Sequence, residues 1–494
     1  MMQLFTIGDS ISQGFMSGAA ARTDLAYSTL IAGCMGLEAG YRYPQWGANG
    51  LPINMEVILR SLANKYGDNV NPLEWAFALR TANRIIEDAE DYYERGAGGK
   101  DTPYTESGGE KSEYFHNVAF QGCDVADAWA LTPSLCKEMI PEDGERDAFL
   151  PFSGPSAAYY RTALKVLNPS LAREHDERSQ VGWLAEHARK EGVENLILWL
   201  GANNALGTVI TLNINQTPND PNRRPHTMSH PERATNNWNL WHPADFEAEY
   251  RELLRRVDAA MEGNGDEHDN WKVFVGNVPL VTIAPLAKGV GPVMEIERNG
   301  KKSVYFKYYT YFFFEENDVR EKDIAYLTLE EALHIDDCIR AYNQTISDVL
   351  DEQNTRHGTE RYHLVDTCGV LETLAFKRNA GQIGYDFPAH FEFVYPRVNS
   401  KYYHADRRGR LRQGGLFGLD GVHPTAIGQG IVAHEFLKVM KKSGVTVDGG
   451  LDWPAIIARD TLYSKPIRIM HELYNKDWLA KYLIERFVSG TQPR

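Results

Sequence analysis

Five short apolar runs stand out along the chain, at residues 4–7, 117–120, 196–200, 273–278 and 363–365. Each run is rich in β-branched or aromatic residues, and four of them are followed within a few residues by Gly or a polar turn. Buried parallel strands have this pattern because helices cover both of their faces. The pattern therefore predicts five strands.

Helical periodicity separates these runs. Apolar residues recur at spacings of three and four within 183–190, 244–261 and 329–350, and Gly192 marks the end of the first stretch. Strands that alternate with helices are typical of the α/β class with a mostly parallel, doubly wound sheet. In such a fold the reactive groups lie at the carboxyl ends of the strands.

Two intervals are too long for simple crossovers between a strand and the next strand. Residues 43–115 are rich in Gly, Asn, Asp and Glu, and residues 205–243 combine Pro and Gly with several His and Trp. Loops of this length inside a compact domain are uncommon and usually functional. We therefore interpret both intervals as insertions into the sheet.

A third insertion, at 294–314, has the pattern of a β-hairpin. Two apolar segments, 294–296 and 303–314, flank Asn299-Gly300, a pair favoured in two-residue hairpin turns. The second segment is unusually aromatic between residues 305 and 314. Such an arm suits a groove or a dimer surface, although packing on the protein's own core is the favoured interpretation.

Composition excludes several classes of protein. The chain has 494 residues, of which 43% are hydrophobic and 24% charged, so it is neither disordered nor collagen-like. This length corresponds to about three average domains, or to one domain with large insertions. With 52 Lys and Arg against 67 Asp and Glu, the net charge of −15 disfavours nucleic acid as a partner.

The cysteines and the apolar runs bear on localisation. The five cysteines are odd in number and form no CxxC pair, which argues against a disulfide framework and a cysteine zinc cluster and favours a reducing compartment. No apolar segment reaches 18 residues, so no transmembrane segment is expected. The N-terminus lacks the pattern of a signal peptide. We expect a cytoplasmic protein, or a secreted one if a signal peptide has been removed.

The first predicted strand runs directly into Gly8-Asp9-Ser10-Ile11. A serine at the carboxyl end of a parallel strand, just before a helix, lies where α/β sheets keep their reactive groups. Gly8 permits a tight turn, which lets the Ser10 hydroxyl and amide both face the crevice, as an acyl-transfer nucleophile requires. Gly-Asp-Ser is equally common as a turn or a helix N-cap.

A candidate base lies near the other end of the chain. The segment 419–425 places Asp420 three residues before His423, and Pro424 is suited to begin a helix. At that spacing Asp420 can hold one ring nitrogen of His423 while the other faces a nucleophile. A loop with an aspartate turn and a capped histidine explains the same residues.

Two further strand ends carry candidate oxyanion donors. Gly122 follows the second predicted strand, and Asn203 and Asn204 follow the third. A glycine amide and an asparagine carboxamide can stabilise the oxyanion of an acyl-transfer intermediate beside the Ser10 amide. Each alone is more often an ordinary turn residue.

Taken together and in this order, the four blocks resemble those of the SGNH hydrolases, the GDSL-type esterase and lipase superfamily. The resemblance covers both ends of the chain in short islands. It implies a flavodoxin-like α/β/α sandwich with a mostly parallel five-stranded sheet and a serine esterase mechanism without metal or organic cofactor. The implied roles are nucleophile for Ser10, base for His423 and orienting partner for Asp420, with Gly122 and Asn203 as oxyanion donors beside the Ser10 amide.

Two positions depart from the family's pattern. Ile11 replaces the usual Leu, and Asn204 stands where the family usually has Asp. The first change is conservative, whereas the second replaces a carboxylate of the third block by a carboxamide and leaves Asn203 in place.

The separation of Ser10 and His423 bears on the domain organisation. If the two share one site, residues 1–445 form a single catalytic domain with insertions near 43–115, 205–243 and 294–314. Residues 446–494 then form a helical extension packed on the body. Its apolar residues at helical spacing are Trp478, Leu479, Tyr482, Leu483 and Phe487.

Three functions are compatible with these features. The leading hypothesis is a serine esterase acting on short acyl groups carried by a small alcohol or a carbohydrate. A lipase or lysophospholipase is the second, since the aromatic arm at 305–314 could contact acyl chains. A non-catalytic binding module on a hydrolase fold is the third. The pattern gives no indication of oligomeric state.

Four residues outside the blocks are candidates for binding a metal ion or the substrate. His226 and His230 have the spacing of metal ligands on a helix, but Pro225 and Pro231 argue against that helix, and no metal site is expected. Trp238 and Trp241 are candidate substrate-binding residues, because an insertion after the third strand emerges at the active-site end. A packed loop explains them equally well.

Cys123 lies beside Gly122 but has no neighbouring base in the sequence. We therefore interpret it as an inert buried thiol.

Overall fold

The computed structural model describes residues 1–104, 112–142, 156–265, 268–298, 300–406 and 408–472. It is an α/β protein. The strands are β1 (Phe5–Gly8), β2 (Phe15–Met16), β3 (Ala19–Ala20), β4 (Leu51–Pro52), β5 (Asn195–Trp199), β6 (Lys272–Gly276), β7 (Ala287–Arg298), β8 (Lys301–Tyr311), β9 (Leu327–Thr328), β10 (Tyr362–Val365), β11 (His404–Ala405) and β12 (Leu411–Gln413).

The α-helices range from single turns to eight turns. They are α1 (Ser10–Gln13), α2 (Tyr27–Cys34), α3 (Met55–Tyr66), α4 (Trp75–Glu94), α5 (Asp127–Ala130), α6 (Pro133–Met139), α7 (Ala157–Leu167), α8 (Gln180–Glu191), α9 (Asn203–Thr211), α10 (His230–Asn236), α11 (Pro243–Glu262), α12 (Glu316–Glu321), α13 (Leu329–His357), α14 (Thr367–Leu374), α15 (Ala426–Lys442), α16 (Trp453–Arg459) and α17 (Thr461–Ser464).

The central sheet has four parallel strands in the order β1-β5-β6-β10. Four of the five predicted strands are confirmed, within one or two residues at each end. All three predicted helices are confirmed too, as α8, α11 and α13. Gly192 ends α8, and its amide donates to backbone carbonyls of the last turn.

The predicted strand at 117–120 is wrong in extent. Only Asn117 pairs with β1, through a single parallel bridge to Thr6. The Asn117 side chain then accepts a hydrogen bond from the Ala119 amide (3.0 Å), which turns the chain away from the sheet. The apolar run is nevertheless buried, because Val118 and Phe120 pack into the core.

Successive side chains of a strand point to opposite faces of the sheet. Both faces carry apolar side chains here, and helices cover both. On β5, Leu196 and Leu198 face a large core shared with α8, α11 and α13. Ile197 and Trp199 face the opposite side, where α2 and α15 pack. A strand buried on both faces needs a continuous apolar run, which is the pattern seen in the sequence.

The predicted hairpin is confirmed, with a longer first arm. The antiparallel pair β7 and β8 spans ten registered residue pairs with a shift between Val290 and Val293. Of the predicted Asn299-Gly300 turn, Asn299 lies outside the described residues, and Gly300 has φ of 75°. The aromatic arm packs on the protein's own core through Tyr305, Tyr309, Tyr311 and Phe314.

The insertions hold secondary structure of their own. Helices α3 and α4 lie within 43–115, and α10 lies within 205–243. The predicted C-terminal helix with Trp478, Leu479, Tyr482, Leu483 and Phe487 lies outside the described residues. Within the described residues, no helix combines the length and the apolar character needed to cross a bilayer.

Candidate active site

Ser10 sits at the junction of β1 and α1. Asp9 caps the helix, because its Oδ1 accepts a hydrogen bond from the Ile11 amide (3.0 Å). A Cβ on Gly8 would lie 2.2 Å from the Ser12 Oγ and 3.1 Å from the backbone oxygen of Trp199. The turn from strand to helix therefore requires glycine, and it fixes the position of Ser10.

His423 meets Ser10 across 413 positions of sequence. Its Nε2 lies 2.9 Å from the Ser10 Oγ, and its Nδ1 lies 3.1 Å from Oδ2 of Asp420. With the proton on Nδ1, His423 donates to Asp420 and accepts from the Ser10 hydroxyl. The loop that carries His423 precedes α15, which begins at Ala426 rather than at Pro424.

Asp420 is held by several donors besides His423. Its Oδ2 accepts from the Gly18 amide (2.9 Å), and its Oδ1 accepts from the amides of Val422 (2.9 Å) and His423 (2.8 Å). Burial by itself would raise the pKa of this carboxyl, but the charge of His423 and these hydrogen bonds lower it below its ordinary value. Asp420 is therefore a fixed anion beside His423.

The imidazole is also held by packing. The ring of Phe15 lies 4.5 Å from the ring of His423, centroid to centroid. Ser10 and His423 are 4% and 8% exposed. The pair is shielded from bulk water, which strengthens the electrostatic interactions within it.

Two of the predicted oxyanion donors are the backbone amides of Ser10 and Gly122. Gly122 has φ of 76°, and a Cβ there would meet the ring of Tyr159 at 3.0 Å. Among the described residues, neither the Ser10 amide nor the Gly122 amide has a protein acceptor. Both donors are thus available to a ligand.

Asn203 opens α9 directly after β5. Its Nδ2 donates to the backbone oxygen of Cys123 (2.9 Å) and, at a longer distance, to Oδ2 of Asp9 (3.3 Å). The hydrogen bond to Asp9 is longer and therefore weaker, so the hydrogen that forms it can be donated to a bound oxyanion instead.

Asp9 and Asn204 are structural partners that sequence reasoning did not assign. Burial raises the pKa of Asp9 to about 6, and the Ile11 amide and the charge of His423 oppose that rise. The buried Asn204 accepts from the Val125 amide (3.2 Å) and donates to Glu249 (3.4 Å). Its carboxamide supports the loop after Gly122, and an aspartate there could not donate to Glu249.

Two cavities adjoin these residues. A narrow apolar one of about 70 Å³ is lined by Ser10, His423 and the side chains of residues such as Leu280, Leu374 and Leu416. A polar one of about 370 Å³ is lined by Gly122, Asn203, Asp124, Arg233 and Trp238, among others. Ser10 and His423 thus line one cavity, and Gly122 and Asn203 line the other.

The two candidate tryptophans line the polar cavity, but in different ways. Trp238 is partly exposed, whereas Trp241 is buried and its indole N–H donates to Glu249 (2.7 Å). The aromatic rings lie edge to face at 6.5 Å. Trp238 is therefore the tryptophan whose ring is partly accessible from the cavity.

The structure does not place His226 and His230 as a ligand pair. The Nδ1 of His230 lies 2.8 Å from Asp127, and its Nε2 lies 3.0 Å from the Tyr160 hydroxyl, so both ring nitrogens are engaged. His226 belongs to a separate short turn. Cys123 is fully buried, and burial raises the pKa of its thiol well above the ordinary value, as expected for an inert cysteine.

Asp258, Glu262 and His357 bring metal-ligating atoms together elsewhere in the described part of the chain. Asp258 already pairs with Arg356 and accepts from the Tyr362 hydroxyl (2.8 Å). These partners account for the position of the Asp258 carboxylate without a metal ion.

No protein-family model matches the chain, and no curated protein matches its sequence. The case for a function therefore depends on the chemistry of the site.

Proposed function

We propose that the protein is a serine esterase that hydrolyses carboxylic esters through an acyl-enzyme. The observation that carries the proposal is the hydrogen-bonded series from Ser10 through His423 to Asp420. A nucleophile, a base and an orienting carboxylate in this order are the parts that acyl transfer needs.

In the proposed reaction, His423 Nε2 takes the Ser10 proton as Oγ forms a bond to the ester carbonyl carbon. The charge that develops on the carbonyl oxygen is stabilised by the amides of Ser10 and Gly122 and by the Asn203 carboxamide. The C–O bond to the alcohol breaks, and the alcohol leaves with the proton from His423. Water then attacks the acyl-enzyme by the same route and restores Ser10.

The topology supports the resemblance to SGNH hydrolases. If the Asn117 bridge marks a rudimentary second strand, the spatial order becomes 2-1-3-4-5, which is the flavodoxin-like order. Ser10 and Asn203 then lie at the carboxyl ends of neighbouring strands, where ligands bind in such folds.

The apolar cavity favours a substrate with an aliphatic acyl group, which keeps a lipase as the second candidate. The aromatic arm no longer supports that candidate, because its tyrosines pack on the core. Initial rates on nitrophenyl esters of increasing acyl length separate the two functions. A maximum at acetyl or butyryl indicates an esterase, and a maximum at long chains indicates a lipase.

The experiment that tests the proposal replaces Ser10 and His423 in turn by alanine. We expect each variant to lose several orders of magnitude in kcat on 4-nitrophenyl butyrate, because the two residues act as one unit. Ser10→Ala should also lose labelling by a fluorophosphonate probe.

The matched control is Ser443→Ala, at the opposite end of α15 from His423. It should keep wild-type turnover and labelling. Retained turnover in Ser10→Ala contradicts the proposal, and a wild-type protein that neither turns over esters nor takes the label favours a non-catalytic binding module.

A further inference from the structure

The polar cavity beside Gly122 and Asn203 is not used by the mechanism above. We propose that it binds the alcohol part of the ester, and that this alcohol is a neutral polyhydroxylated group such as a sugar. This inference rests on the proposed esterase function and names its substrate class.

Helix α9 divides the two cavities. Ala202 and Leu206, four residues apart, line the apolar cavity, whereas Asn203 and Gly207, also four apart, line the polar one. Residues at this spacing share one face of a helix. An ester bound at the start of α9 therefore has an apolar compartment on one side and a polar compartment on the other.

Side-chain amides are frequent in the wall of the polar cavity. Besides Asn203, four asparagines contribute to it: Asn213, Asn215, Asn237 and Asn239. Each carboxamide offers two donors and an acceptor, which complements hydroxyl groups that both donate and accept. The Asn237 carboxamide forms no hydrogen bond to another described residue, so it is free for a ligand.

The charges in the wall disfavour an anionic group. Arg233 is 5% exposed and is paired with Asp127 (2.5 Å) and Asp124 (3.3 Å), with Glu249 at 3.9 Å. Three carboxylates around one guanidinium leave no net positive charge for a phosphate.

The network also keeps the wall in place. Asp127 accepts from the Tyr159 hydroxyl (2.6 Å), from Arg233 and from His230, all of which are buried. A wall whose side chains are fixed in advance loses little entropy when a ligand binds.

Trp238 supplies an apolar face in this polar wall. Its partner Trp241 is fixed by Glu249, and the edge-to-face contact holds Trp238 in turn. The aliphatic C–H face of a sugar ring packs on such an indole while its hydroxyls reach the asparagines. The combination suits a ring with one apolar face and a polar rim.

The test compares two esters with the same acyl group, 6-O-butyrylglucose and 4-nitrophenyl butyrate. Trp238→Ala and Asn237→Gly should each lower kcat/KM on the glucose ester about ten-fold or more, with rates on the nitrophenyl ester within about two-fold. Glycine at 237 keeps the left-handed backbone, where φ is 51°. Trp46→Ala, which lines neither cavity, should change neither rate.

Equal losses on both esters, or no loss on the glucose ester, overturn the inference while leaving the esterase function intact. Binding to the Ser10→Ala protein provides a readout without turnover. Methyl glucoside should change its tryptophan fluorescence saturably, and the added Trp238→Ala change should abolish that signal. Tighter binding of choline or glycerol 3-phosphate than of methyl glucoside also overturns the inference.

Discussion

Asn203 illustrates how one side chain can serve both the resting protein and a reaction. Both of its donor hydrogens are engaged, one by Cys123 and one by Asp9. In the reaction proposed above, a tetrahedral intermediate would compete with the longer bond to Asp9, and the shorter bond would keep the carboxamide oriented. The donor would then be preorganised for the charge that the proposed reaction develops.

We expect Asn203→Ala to lower kcat by about 10² to 10³, because one oxyanion donor is lost while Ser10 and His423 remain. Stopped-flow rates on 4-nitrophenyl butyrate measure the effect, and fluorophosphonate labelling should persist at a reduced rate. Ser443→Ala, which lines neither cavity, is again the control. If the kcat of Asn203→Ala equals the wild-type value, Asn203 is not an oxyanion donor.

At the scale of secondary-structure elements, the hairpin is attached to the core by a buried ion pair. Arg378 donates to Asp336 (3.0 Å), and both side chains are fully buried. The Tyr305 hydroxyl of β8 donates to the same carboxylate (2.8 Å), and the Tyr309 hydroxyl accepts from Arg378 (2.7 Å). Removing one charge leaves the other uncompensated.

Arg378→Ala should therefore lower the free energy of unfolding by about 3–5 kcal/mol. Urea denaturation measures the change. Arg298→Ala on the same hairpin removes a partly exposed pair with Asp337 and should cost less than about 1 kcal/mol. If the two variants are equally stable, the buried pair does not attach the hairpin.

The secondary-structure elements were predictable where burial requires a recognisable pattern of apolar residues. Strands such as β5 and β6 are covered on both faces and must be continuously apolar. The run at 117–120 has the same composition, but the Asn117 side chain turns the chain after one bridge. Local side-chain hydrogen bonds of this kind compete with the sheet and have no periodicity to detect.

The residues of the candidate site also differ in how far the sequence could predict them. Ser10, Asp420 and His423 were predictable because short spacing and strand ends constrain them. The wall of the polar cavity was not predictable from the sequence. Asp124, Arg233 and Glu249 come from three separate segments, which only the tertiary fold brings together. The contact of Asn203 with Asp9 has the same origin.

At the scale of the whole molecule, Asp460 links the C-terminal segment to the site. Its Oδ2 accepts from the Ile427 amide in the first turn of α15, and its Oδ1 accepts from the Tyr463 amide, both at 3.0 Å. The helix it caps begins three residues after His423. Burial raises the pKa of Asp460 to about 6, against the hydrogen bonds that oppose it.

A carboxyl whose pKa is raised on folding contributes stability below its unfolded value, near 4, and that contribution is lost as the pH rises through about 6. We expect the stability of the wild type relative to Asp460→Asn to fall over this window by about 2–3 kcal/mol. Thermal denaturation from pH 4 to 7.5 measures it. A difference that is independent of pH shows that Asp460 does not titrate in the folded protein.

The 413 positions between Ser10 and His423 also matter during translation. At roughly 5–20 residues per second, the ribosome adds the imidazole roughly 20–80 s after the serine. Until β5 is made, β1 has no neighbour in the four-stranded sheet. A nascent chain therefore carries its serine without the imidazole, and the ester cleavage proposed above could begin only after the segment that contains His423 has been synthesised.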